Sequence, residues 1–226
     1  MKSIADMSVE ELAGLVCETL AKAGVTTTLT GGACVSIWSD GNYVSRDLDF
    51  IEEGPVTRRQ VKDALKKIGF TEKHRYFVHP DTEFFVEFPT GPLTVGDERV
   101  HKVAIRDTDA GRLRLLSPTD CIKDRLAAFF YWNDKMAFEQ ALLVAKSQSI
   151  DFEDLSSWAK AEGESKKFAE FKKAQALDPN AVDVVLELGR LERRADPRVR
   201  RPRPDTLGAS RRLRTRGGGG GEGRMG

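Results

Sequence analysis

Two aspartates separated by one leucine, Asp47-Leu48-Asp49, are the residues in this 226-residue chain whose types and spacing most directly imply chemistry. In an extended strand alternate side chains share a face, so Asp47 and Asp49 point one way and Leu48 and Phe50 the other. Packing accounts for the leucine and the phenylalanine. It does not account for two like charges about 7 Å apart, which repel unless a cation lies between them. Hard divalent ions such as Mg2+ take carboxylate oxygens and keep waters that phosphate oxygens can replace. A pair of such ions is the usual clamp for in-line displacement at phosphorus. The bland alternative, a strand end with two solvated acids, asks nothing of the rest of the chain.

The metal reading asks for a third acid on a neighbouring strand. In the run Glu83-Phe84-Phe85-Val86-Glu87-Phe88, alternation puts Glu83, Phe85 and Glu87 on one face. Glu87 is bracketed by apolar residues and is the better third ligand. Gly31-Gly32, at a strand-to-helix turn, would let backbone amides approach a phosphate with a helix N-terminus aimed at its charge. As a bare turn the same pair would need no ligand. The histidines, His74, His79 and His101, lack metal-ligand spacing.

These side chains need a frame. Ser8-Val9-Glu10-Glu11 is a capping box opening a helix that Gly24 ends. Residues 25–30 read as a strand, 33–38 as a short helix, 40–42 as a turn and 48–51 as a second strand. Thr57-Arg58-Arg59-Gln60 caps another helix, which ends at Gly69. Residues 70–79 and 82–88 read as two strands, with weaker ones near 100–105 and 113–116. The order predicts a mixed α/β sheet flanked by helices over residues 1–116. From Ser117-Pro118-Thr119-Asp120 onward every signal is helical, which predicts a helical subdomain over 117–189. Phe129, Phe130, Tyr131 and Trp132 are expected to pack that subdomain. Asp120 is most simply a first-turn acid favoured by the helix dipole.

The balanced net charge of +1 conceals a segregation. From Arg190 on there are twelve arginines against four acids, a net of +8, so residues 1–189 carry −7. Residues 190–226, rich in Arg, Gly and Pro, lose apolar periodicity and are expected to be a disordered basic tail. It would contact nucleic-acid phosphates, or be an extension without function. Three cysteines without CxxC spacing indicate neither a disulfide framework nor a zinc knuckle. With no signal peptide and no apolar run long enough for a bilayer, the chain is expected to be cytoplasmic, with no membrane partner.

The stretches "TGGACVSIWSD", "SRDLDFI" and "FFVEF" resemble the nucleotidyltransferase superfamily with the DNA polymerase β-type fold. The closer likeness is to small bacterial and archaeal members related to AbiEii-type abortive-infection toxins, which also carry a helical block like "LLSPTDCIKDRLAAFFYWNDKMAFEQALLVA". The resemblance implies Asp47, Asp49 and Glu87 as catalytic ligands of Mg2+, or Mn2+, with a nucleoside triphosphate as substrate. It sets Gly31 and Gly32 against the triphosphate and makes Ser45, Arg46 and Arg125 nucleotide-binding residues. It implies transfer of a nucleoside monophosphate to a hydroxyl on a tRNA, a protein or a small molecule, and a small antitoxin as partner. Ala33 stands where a hydroxyl residue is common, Arg125 where a lysine is common, and Asn42 and Tyr43 where an arginine is common. These departures leave open a second reading, a nucleotide-binding or antitoxin-type partner module with weak or no turnover.

Overall fold

A computed structural model describes residues 2–176. The end of the expected helical subdomain, 177–189, and the basic tail lie outside the described residues. After a short 3-10 turn, α1 (Val9–Lys22) begins at Ser8, whose side chain accepts from the Glu11 amide while Glu11 bonds back to the Ser8 amide. A cap of this kind is worth about 1 kcal/mol. Then come β1 (Thr26–Thr30), α2 (Gly31–Trp38), β2 (Asp47–Glu53) and α3 (Arg58–Lys66), the last opened by the Thr57–Gln60 capping box.

The stretch 70–79 is not one strand. It folds back on itself as β3 (Thr71–Lys73) and β4 (Tyr76–Val78), paired antiparallel. His74 takes φ 58° at the turn, a left-handed conformation that reverses the chain within two residues. β5 (Phe85–Glu87) follows, and then a separate small hairpin, β6 (Thr94–Val95) with β7 (Glu98–Arg99). β8 (Ala104–Thr108) and β9 (Gly111–Leu115) complete the main sheet. Its order is β3-β4-β5-β2-β1-β9-β8, and it is mixed: β2 runs antiparallel to β1 but parallel to β5, and β9 runs parallel to β1.

One face of the sheet is closed by α1, which packs on β1 and β9 and against α3. Leu29, Leu48, Phe50, Leu113 and Leu115 are fully buried there. Beyond Leu116 the described residues are helical: α4 (Pro118–Trp132), α5 (Lys135–Ser147), α6 (Phe152–Ala161) and α7 (Ser165–Gln175). Asn133, at φ 54°, makes the break between α4 and α5. Their buried side chains join those of the sheet in one hydrophobic cluster. Of the four aromatics expected to pack this block, Phe129 and Phe130 do. Tyr131 and Trp132 are exposed, Trp132 by 70%, because at helical spacing they fall on the side of α4 away from buried Leu126, Phe129 and Phe130. Among the described residues no helix is long and apolar enough to cross a membrane.

Candidate functional site

The acids lie where β2 emerges between β1 and β5. Asp47 and Asp49 are half-buried, while Leu48 and Phe50 fill the core behind them. Register brings in the third acid. β2 and β5 are parallel with Asp47 opposite Phe85, Leu48 opposite Val86 and Asp49 opposite Glu87. Directly paired residues share a face, so Asp49 and Glu87 are lateral neighbours. The structure therefore brings Asp47, Asp49 and Glu87 to one edge of one sheet face.

Their partners differ. The Ser45 hydroxyl donates a very short bond to Asp47 Oδ1. Arg75 Nε lies 3.1 Å from Glu87 Oε1. The Asp49 carboxylate accepts no hydrogen bond among the described residues; only its backbone carbonyl is engaged, by Thr30 Oγ1 at 3.3 Å. Burial, then the charges of Asp47 and Glu87, push its pKa up to about 7, with Arg125 opposing them. Glu87 is also raised, by burial first and by Asp47, against the pull of Arg75 and Arg58. A half-buried acid without a donor, crowded by two like charges, is a group whose charged form waits for a cation.

Gly31 and Gly32 form the first turn of α2 rather than preceding it. Gly31 sits at φ 66°, and a β-carbon there would collide with Asp49 Oδ2. One at Gly32 would come within 2.8 Å of Ser45 Oγ. The glycine pair thus gives clearance to the acid strand, and the first-turn amides of α2 lie beside Asp49.

Arg125 reaches the site from α4. Its guanidinium bonds Asp124 Oδ2 through Nε at 3.0 Å and Nη2 at 2.5 Å, and Gln140 Oε1 through Nη1 at 3.3 Å. Burial opposes its charge, but Asp124, with Cys121 and Asp49, outweighs burial and raises the pKa. Arg46 is not drawn in: its side chain is 66% exposed and pairs with Glu83 at 3.0 Å. Asp120 stays at the α4 cap, bonded to Ser117.

Four residues escaped the sequence reading, three of them at the site. Arg75 could be placed beside Glu87 only after 70–79 was known to be a hairpin. Tyr43 is raised in pKa by burial and then by Asp47, and it also feels Arg125 and Gln140. Gln140 carried no sequence signal. The fourth, Lys123, serves a different purpose. It is 1% exposed and lies 2.8 Å from Glu98, 2.9 Å from Asp154 and 3.8 Å from Asp120. It ties the β6–β7 hairpin to α4 and α6, away from the acids on β2.

Among the described residues no three His, Cys, Asp or Glu side chains converge into a ready-made metal cage. The donor set nevertheless fits a hard divalent ion: carboxylate oxygens only, with the half-buried Asp49 carboxylate accepting no hydrogen bond among the described residues. In place of an ion, Glu87 is paired with Arg75 and Asp47 with Ser45. The three cysteines are free and buried, and burial pushes Cys34 up, so it offers no nucleophile. An open hollow of about 450 Å³, lined by Glu18, Lys22 and the β8–β9 turn, lies at the opposite end of the sheet and has no part in this site.

No protein-family model matches the chain, and no curated protein matches its sequence. Similar solved structures include an antigenic nucleotidyltransferase-like protein from Paracoccidioides brasiliensis, 12% identical over 77% of this chain and 95% of the other, with a TM-score of 0.47. The antibiotic-resistance factor ANT(2'')-Ia is 13% identical over 74% of this chain and 93% of its own, with a TM-score of 0.41. The same factor in complex with adenylyl-2''-tobramycin gives 14% identity, 74% and 98% coverage, and a TM-score of 0.40. At TM-scores this low the likenesses carry no weight for the chemistry, which stands on the residues.

Proposed function

We propose that the chain is a nucleotidyltransferase of the DNA polymerase β-type superfamily, moving a nucleoside monophosphate from a triphosphate to a hydroxyl. The observation that carries this reading is the level pairing of unpartnered Asp49 with Glu87, beside Asp47, across parallel strands. Asp47 and Asp49, with Glu87, would hold Mg2+ or Mn2+. The ion would supply Lewis-acid stabilisation of the transferring phosphoryl group. The Ser45 hydroxyl fixes the orientation of Asp47. Arg125 offsets the negative charge from the helical side and faces incoming phosphate. Gly31 and Gly32 keep the first turn of α2 bare enough for phosphate oxygens to approach. Glu87, with its raised pKa, is the base that would accept the acceptor hydroxyl's proton on a carboxylate oxygen.

The acceptor belongs to one of three classes, an RNA such as tRNA, a protein or a small molecule, and the first two accord with a toxin restrained by a small antitoxin. Incubation with each labelled nucleoside triphosphate, Mg2+ and one acceptor of each class should transfer label with at least one combination. Asp49→Ala should abolish transfer, and equal labelling by that variant refutes the proposal. A second reading, a nucleotide-binding module without turnover, is favoured by one observation: two of the three acids are already engaged, by Ser45 and Arg75. Calorimetry separates the two, since the module would bind triphosphate without Mg2+-dependent release of pyrophosphate.

A further inference from the structure

Arg75 stands at the turn between β3 and β4, and its surroundings hold that turn in place. Its backbone carbonyl accepts a bond from Arg58 Nη2 at 2.8 Å, and Arg58 in turn bonds Glu72 at 3.0 Å. Arg58 also lies over the Phe77 ring at 4.3 Å. The Arg75 guanidinium lies 4.9 Å from the centroid of Tyr76, whose ring meets Phe85 edge-on at 4.9 Å. Strand register sets Phe77 opposite Val86 and so carries Tyr76 to the position opposite Glu87. Arg75 is thus carried over the acid edge by an aromatic pair, with its charge against Glu87. Glu87 is only 19% exposed, so solvent cannot fully replace that cation.

We infer that Arg75 is a positioning residue that exchanges Glu87 for phosphate: in the free protein it neutralises the third acid, and on nucleotide binding it releases Glu87 to the metal. This inference rests on the nucleotidyl-transfer reading above. A planar guanidinium fork matches a carboxylate and a phosphate equally well. The triphosphate is therefore the group that can take Arg75 from Glu87 without leaving either charge unpaired. Metal and nucleotide then bind with positive coupling, each raising affinity for the other by the same factor. The pairing also explains why three acids on one sheet edge do not converge in the protein alone.

The test is Mn2+ binding to the full chain, read by electron paramagnetic resonance with and without a non-hydrolysable nucleoside triphosphate analogue. Arg75→Gln should bind Mn2+ alone ~3- to 10-fold more tightly than the native chain, the range expected when a largely buried competing ion pair is removed. It should also lose the gain in Mn2+ affinity that the analogue confers, whereas Arg75→Lys should keep part of it. Arg46→Gln removes an equal charge from the same sheet edge, one paired with Glu83 instead of Glu87, and should leave Mn2+ affinity within about twofold. Native-like Mn2+ binding by Arg75→Gln overturns the inference and leaves the metal site standing. An equal shift in Arg46→Gln overturns it too, by reducing it to bulk charge. Absence of Mn2+ binding in both the native chain and Arg75→Gln overturns this inference and the metal reading together.

Discussion

Replacing Asp49 with asparagine should stabilise the metal-free protein while destroying its site. Burial, Asp47 and Glu87 raise the Asp49 carboxyl from 3.8 to about 7. A carboxyl whose folded pKa exceeds its unfolded value takes up a proton on folding between the two, so stability falls as pH rises from about 4 to about 7 and is flat above. At about 1.4 kcal/mol per tenfold change, that gap corresponds to roughly 4 kcal/mol at pH 8, and water reaching the half-buried side chain brings the expected figure to roughly 2–4 kcal/mol. The amide of Asp49→Asn keeps the shape of the carboxyl without its charge. Urea unfolding of both chains in chelator should show the variant more stable by that amount at pH 8 and nearly level with the native chain at pH 4. Adding Mn2+ at pH 8 should reverse the order, because only the native chain gains binding energy. A stability difference that is the same at both pH values would refute the electrostatic account of Asp49.

Gly31→Ala places a β-carbon against Asp49 Oδ2 at φ 66°, and should cost roughly 1–3 kcal/mol in urea unfolding along with most of the proposed transfer activity. Lys123→Ala removes a buried cation from between Glu98, Asp120 and Asp154; because Glu98 and Asp154 are each 45% exposed and water can solvate them, it should lower unfolding free energy by only roughly 1–3 kcal/mol. Trp38→Phe removes the 2.9 Å bond from Nε1 to the Leu116 carbonyl, for a loss of about 1–3 kcal/mol measured the same way.

Much of the frame could be read from local chemistry because it is locally encoded. Ser8, Thr57, Ser117, Asp134 and Asp151 each accept an amide in the first turn of their helices. The alternation of Asp47 and Asp49 with Leu48 and Phe50 set which side of β2 is buried. Glu87 was reachable because its own strand alternates. What the residues could not give is which strands lie side by side. The placement of β5 next to β2 depends on a parallel pairing between segments nearly forty residues apart, and no local signal fixes that. The hairpin in 70–79 was missed because Lys73, His74 and Arg75 carry no Gly, Asn or Asp to mark a turn. Missing it hid Arg75, and with it the reason the third acid is not free. Arg125 and Lys123 look equivalent on paper, two cations two residues apart on one helix. Only packing shows that Lys123 is enclosed by structural acids while Arg125 faces Asp49.

The position of Arg125 is itself a consequence of how α4 leaves the sheet. The Leu116 amide bonds the Leu29 carbonyl, and the Leu116 carbonyl accepts from Trp38 Nε1 and Cys34 Sγ. Leu116 is thereby fixed to both β1 and α2, the two elements that meet at Gly31. Ser117 then caps α4 at the sheet end where the acids emerge. Eight residues on from that cap, at 1.5 Å each, a helix has advanced about 12 Å. That brings Arg125 alongside the site from a block otherwise built only of packed helices. The Asp124 and Gln140 bonds stop it from collapsing onto Asp49, so its charge acts across a gap instead of through a closed ion pair. A closed pair would satisfy Asp49 permanently and hold its pKa low. The observed arrangement leaves Asp49 without a donor and its carboxyl raised, the state of an acid whose charged form is stabilised only by a further cation.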